Sequence, residues 1–191
     1  MIKAIIFDCF GVLTADTWHE FTVSLPQDQA EEARSLNRAY DSGHISLQEF
    51  LKGVEDVTGR KPQLVEEMLD HETSKNVALL KYIASLKENY KIGLLSNIGT
   101  NWIRESFLTK EEQALFNNIV LSYEVGMTKP DPQIFELACR RLGVEPEETI
   151  MIDDIERNCM AASELGMKSV LYKDLSSLKP QLESLLADSN N

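Results

Sequence analysis

The sequence predicts an α/β fold: a three-layer α/β/α core in which helices cover both faces of a parallel sheet, with a small all-helical subdomain inserted near its start. Three observations carry this. Short runs rich in Ile, Leu and Val recur along the 191 residues, each followed by loop residues and then by helical periodicity. These runs are apolar throughout rather than alternating, as strands buried on both faces require. The interval between the first run and the second, about 80 residues, is too long for a crossover and shows only helical patterns.

The elements follow in order. Ala4 to Phe7 is the first strand, ending at Asp8. In the long interval, Ser46 and Glu49 form a capping box ahead of Leu47, Phe50, Leu51, Val54 and Val57 on one helical face. Leu64, Val65, Met68 and Leu69 repeat the pattern after Pro62. Val77 to Glu88, with Leu79, Leu80, Ile83 and Leu86 in one stripe, leads the chain back to the second strand, Ile92 to Leu95. Thr109 and Glu112 make a second capping box before the third strand, Ile119 to Leu121. Asp131 and Pro132 start a helix that Gly143 ends. Thr149 to Ile152 and Ser169 to Leu171 complete the sheet, with a helix closed by Gly166 between them. From Ser176 an amphipathic helix runs through Leu182, Leu185 and Leu186 to a polar end, Ser189, Asn190 and Asn191. The expected division is a core of residues 1–14 and 76–191 and a helical insertion of residues 15–75, hinged near Thr14 and at Thr73 to Asn76.

Composition narrows the function. With 43% hydrophobic and 26% charged residues the chain is an ordinary globular protein. Nineteen basic against 31 acidic residues give a net charge of −12, which repels nucleic acid and anionic membranes. An anionic ligand must therefore meet a local positive site. Asp8 interrupts the first apolar run, and no stretch approaches the roughly 18 apolar residues of a membrane span, so neither a signal peptide nor a transmembrane helix is expected. Cys9, Cys139 and Cys159 are odd in number, lack a CxxC spacing and sit in apolar patterns, which fits reduced thiols in the cytoplasm. The residues six beyond them are Ala15, Glu145 and Leu165, so no Cys-x5-Arg phosphatase loop exists; nor does a dinucleotide fingerprint or a Walker loop.

In open parallel sheets ligands bind beyond the carboxyl ends of the strands. There the sequence places Asp8, then Ser96 and Asn97, then Gly126 to Asp131 with Lys129, then Asp153 and Asp154. Adjacent carboxylates repel, and a hard divalent cation such as Mg²⁺, bound with an anionic substrate, relieves them. Each residue taken singly also has a plainer reading: Asp8 or the Asp153–Asp154 pair as helix caps, Ser96 and Asn97 as a turn, Lys129 as a solvated charge. Their recurrence at successive strand ends favours a site. His19, His44 and His71 all fall in the insertion and are expected on helix surfaces. Trp18, Phe21 and Tyr40 either line a pocket or fill the core of the insertion, and the core is favoured.

Four segments, IIFDCFGVL, LLSN, KPDPQIF and IDDIERN, appear in this order and span nearly the whole chain; with them the sequence closely resembles the haloacid dehalogenase superfamily. The resemblance implies a Rossmann-like core with strand order 5-4-1-2-3 and identifies the insertion with the family's small helical cap, which supplies most of the substrate specificity. It implies that Asp8 is a nucleophile forming an aspartyl phosphate, and that Ser96, with Asn97 beside it, binds the transferring phosphoryl group. Lys129 would offset charge on nucleophile and phosphate. Asp8, Asp154 and the backbone carbonyl of Phe10 would hold Mg²⁺, with Asp153 behind them and Asn158 steadying the loop. The implied substrate is a small phosphorylated metabolite.

The chain departs from the phosphatase pattern at Phe10, where an Asp that protonates the leaving group is common. Phenylalanine transfers no protons, and such acid help is worth roughly 10²- to 10⁴-fold, so a slow or selective phosphatase is expected. Two alternatives stay open: a catalytically weak phosphate-binding or interaction protein, and a 2-haloacid dehalogenase. Dehalogenases of the superfamily also lack that Asp, but they lack the metal carboxylates that Asp153 and Asp154 supply.

Overall fold

β1 (Ala4–Phe7) occupies the centre of a five-stranded parallel sheet in the computed structural model, which describes residues 1–69 and 75–187. Its neighbours are β2 (Lys91–Ser96) and β4 (Thr149–Asp153), with β3 (Asn118–Leu121) and β5 (Lys168–Leu171) outside them, in the order β3-β2-β1-β4-β5. This is the order that the resemblance implies. The strands reach one or two residues beyond the apolar runs, taking in Lys91, Ser96, Asn118, Asp153 and Lys168, because ladder hydrogen bonds come from the backbone and continue onto polar residues. Phe7 pairs with Leu94 on one side and Ile152 on the other, so Asp8 and Asp153 emerge at one level.

Ten α-helices, some of them single turns, are present among the described residues. α1 (Thr17–Val23), α2 (Gln27–Asp41), α3 (Leu47–Thr58) and α4 (Pro62–Leu69) follow β1, and α5 (Val77–Leu86) returns the chain to β2. α6 (Lys110–Gln113) and α7 (Ser122–Val125) are single turns beside β3. α8 (Pro132–Leu142), α9 (Glu156–Glu164) and α10 (Leu175–Ala187) complete the layers. Alternate strand residues feed opposite faces. Ile5 and Phe7 pack with Leu79 and Ile83 of α5 and Leu178 and Leu182 of α10. Ala4 and Ile6 pack with Ile134, Phe135 and Ala138 of α8 and Ala162 of α9. Both faces are dry, which is why the strand sequences are continuously apolar.

The capping signals take their places. Ser46 and Thr109 each accept from the amide of the Glu three residues on, and that Glu accepts from the Ser or Thr amide in return. Asp131 Oδ1 accepts from the Gln133 amide at 2.9 Å with Pro132 in the first turn, and Gly143 closes α8 at φ 64°.

α1 to α4 enclose a cluster of their own, Phe21, Phe50, Leu51, Val54 and Val65, bordered by Trp18, Leu36 and Tyr40. The predicted apolar faces are narrower than the periodicity suggests. Leu47 and Leu64 are exposed, Leu47 because the first turn of α3 opens onto a cavity and Leu64 because two-turn α4 buries only Val65 fully. The chain leaves and rejoins the sheet layers at one point: the Asn76 amide donates to Leu13 O at 2.8 Å, and Asn76 Nδ2 donates to Val12 O and to the Tyr172 hydroxyl. Thr73, His71 and the polar end Ser189, Asn190 and Asn191 lie outside the described residues. No described helix is long and apolar enough to cross a membrane.

Candidate active site

One further rung beyond β1, from the Asp8 amide to Ile152 O at 2.9 Å, fixes Asp8 at the strand end, where it is 5% exposed. Its Oδ1 accepts from the Cys9 amide at 2.6 Å, and its Oδ2 lies 2.7 Å from Lys129 Nζ. The same ammonium donates to Asp153 Oδ2 at 2.6 Å, and Asp153 Oδ1 accepts from Asn158 Nδ2 at 3.0 Å and from the Ile155 amide at 2.9 Å. A continuous polar chain therefore runs from Asn158 through Asp153 and Lys129 to Asp8. Lys129 is held at its backbone too: Asn97 Oδ1 accepts from the Lys129 amide at 2.8 Å and Asn97 Nδ2 donates to the Lys129 carbonyl at 3.0 Å. Asn97 thus positions Lys129 and has one amide proton left for a ligand. Ser96 Oγ, at the end of β2, is buried without a hydrogen-bond partner.

Charge does not balance within this group. Asp8, Asp153 and Asp154 each offer a carboxylate oxygen, all within 4.8 Å of one another, against the single ammonium of Lys129. Burial pushes the Asp8 carboxyl well above its ordinary range; Lys129 pulls it down, and Asp153 and Asp154 push it up again. Asp154 is pushed up to about 7, first by burial and then by Asp153 and Asp16. Burial alone would lower Lys129, but Asp153 and Asp8 outweigh it and raise the ammonium above its ordinary value, so it keeps its proton. Asp154 Oδ1 is buried and unpartnered. Gly11 stands against that carboxylate at φ +73°, and a Cβ there would overlap it. An acceptor-only oxygen set with surplus negative charge and an orphaned carboxylate oxygen fits a hard divalent cation.

A cavity of about 320 Å³ opens above Asp8, Lys129, Asn97 and Asn158. Ser96, Asp153 and Asp154 sit outside its lining. One wall is aromatic: the Phe10 ring stacks on Trp102 at 6.0 Å, and Trp102 stacks on Phe107 at 4.8 Å. Trp18, Phe21 and Tyr40, expected as core of the insertion, divide. Phe21 is buried there, whereas Trp18 and Tyr40 pack on Phe50 and also face the cavity. Arg34, Arg38 and Arg157 line it as well.

His19 lies exposed in the first turn of α1, and His44 Nδ1 is 2.8 Å from Ser42 Oγ. Cys9, the residue after Asp8, is fully buried. Sequence reasoning missed Gly11, Trp102 and the three arginines. Arg34 and Arg38 are four residues apart on one helical face, a spacing shared with any solvated helix, and a positive φ at Gly11 leaves no mark in composition.

A family model described as haloacid dehalogenase-like hydrolase matches residues 2–166. The D-ribitol-5-phosphate phosphatase of Bacteroides thetaiotaomicron is 28% identical over 196 residues, covering 88% of this chain and 91% of that protein. Bifunctional epoxide hydrolase 2 of Sus scrofa is 28% identical over 218 residues, covering 96% of this chain, which spans only 39% of that longer protein. Among solved structures, a wild-type HAD family enzyme from Bacteroides thetaiotaomicron, in complex with magnesium and inorganic phosphate, aligns with a TM-score of 0.69 at 27% identity, over 93% of this chain and 99% of that one.

Proposed function

Because the chain belongs to the haloacid dehalogenase-like hydrolases, we propose that it is a magnesium-dependent phosphomonoester hydrolase that acts on a small phosphorylated metabolite through an aspartyl phosphate on Asp8. The observation that carries this reading is the chain of 2.6 to 2.7 Å contacts joining Asp8, Lys129 and Asp153 beside Asp154, with Asp8 and Lys129 lining a cavity. The activity of the Bacteroides phosphatase and the magnesium and phosphate bound by the solved neighbour support the substrate class and the metal.

Asp8, Asp154 and the Phe10 backbone carbonyl would hold the ion, with Asp153 behind them. Magnesium would supply the positive charge that lets an anionic nucleophile approach an anionic phosphate. A carboxylate oxygen of Asp8 attacks phosphorus, the bond from phosphorus to the ester oxygen breaks, and the electron pair leaves with that oxygen. Water then attacks phosphorus in the acyl phosphate, releasing inorganic phosphate and restoring Asp8. Lys129 stays charged throughout and offsets charge on the phosphoryl oxygens, while the unpartnered Ser96 hydroxyl and the spare Asn97 proton donate to them. Phe10 gives no proton to the departing oxygen, and its ring is engaged with Trp102, so esters with good leaving groups react fastest.

In this reading residues 15–75 are a cap over a core of residues 1–14 and 76–191. Its separate aromatic cluster and the junction at Leu13 and Asn76 support that division. The three buried, unpaired thiols support a cytoplasmic location.

The deciding experiment is hydrolysis of p-nitrophenyl phosphate with Mg²⁺ by wild type and by Asp8→Asn. Turnover is expected to fall by at least about 10³-fold with the circular dichroism spectrum unchanged. Equal turnover in the variant would overturn the reading. Phe10 also favours a second reading, a phosphate-binding protein with little turnover. Wild type that binds phosphate but traps no beryllium fluoride and cleaves nothing in a broad phosphate panel would support it.

A further inference from the structure

We propose that the cavity contains a second anion site, formed by Arg34, Arg38 and Arg157, and that the substrate is a small phosphomonoester carrying another anionic group, a carboxylate or second phosphate, at its far end. The inference rests on the phosphatase reading for the first anion, at Asp8 and Lys129, and deepens it.

Acidic residues outnumber basic ones in this chain, and Arg104 pairs with Glu124 at 2.5 Å. Yet Arg34, Arg38 and Arg157 line one cavity, and among the described residues none of them makes an ion pair. Arg34 Nε donates to Thr22 Oγ1 at 3.3 Å, which leaves its other donors available. The guanidinium groups also repel one another. Arg157 is lowered from its ordinary value, first by burial and then by Arg38 and Arg34. Such a cluster is unfavourable unless an anion settles among it.

The carboxylates of the same wall do not fill that role. Asp16 accepts from the His19 amide at 2.8 Å as the cap of α1. Asp41 accepts from Asn37 Nδ2 at 2.7 Å and is pushed up to about 8, chiefly by burial, so it is largely neutral at neutral pH. Glu66 pairs with none of the arginines. Lys129 is already committed to Asp8 and Asp153, so it cannot serve a second anion. A planar guanidinium fork matches both carboxylate and phosphate oxygens.

Size sets the rest. A volume of about 320 Å³ is at the lower end for ligand cavities, and Trp18, Tyr40 and Trp102 take part of its wall. The two anions must therefore be separated by only a few carbon atoms. Arg34 and Arg38 belong to α2 and Arg157 to α9, so the far anion would also tie the helical insertion to the sheet layers.

The test uses calorimetry on the full chain with Mg²⁺ and three phosphonates that cannot be hydrolysed: propylphosphonate, 3-phosphonopropionate and propane-1,3-diphosphonate. Wild type should bind one of the two doubly anionic probes at least about tenfold more tightly than propylphosphonate. The probe favoured identifies the far group as carboxylate or phosphate. In an Arg34→Gln, Arg38→Gln variant that preference should collapse toward unity, and Arg38→Lys, which keeps the charge, should retain part of it. Equal affinities in wild type, no binding of the doubly anionic probes, or a preference that survives the double substitution would overturn the inference. Turnover separates the two readings. Hydrolysis of glycerol 3-phosphate and 3-phosphoglycerate with no preference between them, alongside equal phosphonate affinities, removes the second site and keeps the phosphatase. A phosphonate preference without turnover of either ester does the reverse.

Discussion

Gly11 shows how much of the site depends on single positions. It combines φ +73° with a carboxylate standing where a Cβ would go, so no side chain fits without moving Asp154. Gly11→Ala should destabilise the protein by about 1–3 kcal/mol, and should weaken Mg²⁺ binding in the same variant. Urea denaturation and a Mg²⁺ titration check both; an unchanged metal affinity would mean that Asp154 needs no help from Gly11. At this scale the motif residues are legible in the sequence because their chemistry is tied to residue type: three acids, a hydroxyl and an amine at predicted strand ends. The arginines of α2 and α9 are not, since a guanidinium facing a cavity and one facing solvent have the same sequence signature. Trp102 is hidden for a similar reason, because an aromatic at the start of a short helical turn does not announce which ring it meets.

Among elements, the strands and capped helices are the most legible, because continuous apolar runs and S-x-x-E or T-x-x-E spacings are compatible with few alternative local structures. Strand ends are less so, since pairing continues onto polar residues. The helical insertion is readable as helical but not in its packing. Only some positions of its apolar stripes are buried, and two of its aromatics serve the cavity as well as the cluster. Phe50, fully buried, joins those roles: Tyr40 stacks on it at 5.0 Å and Trp18 leans on it at 5.3 Å. Phe50→Ala should cost about 3–5 kcal/mol and loosen the cavity wall. A lower urea midpoint accompanied by a red shift of tryptophan emission is the expected result; a midpoint shift with unaltered emission would show that Trp18 keeps its place without Phe50.

For the whole molecule, the surplus of buried negative charge at the centre of the sheet couples metal binding to stability. A cation that binds only the folded chain stabilises it by about 2.7 kcal/mol when present at 100 times its dissociation constant. Thermal melts should therefore rise with Mg²⁺ in wild type and respond much less in Asp154→Asn, which loses one charge and one oxygen of the orphaned carboxylate. Equal responses in the two proteins would place the ion elsewhere.

The position of β1 between β2 and β4 has a consequence for the growing polypeptide. Ala4 must find Lys91 on one side and Thr149 on the other, so the strand that leaves the ribosome before its neighbours waits longest for them. A nascent fragment ending before β4 contains Asp8 and Lys129 but neither Asp153 nor Asp154, and it has no neighbour on one side of β1. Synthesis must therefore pass Asp154 before Asp8 meets the two acids that share its end of the sheet.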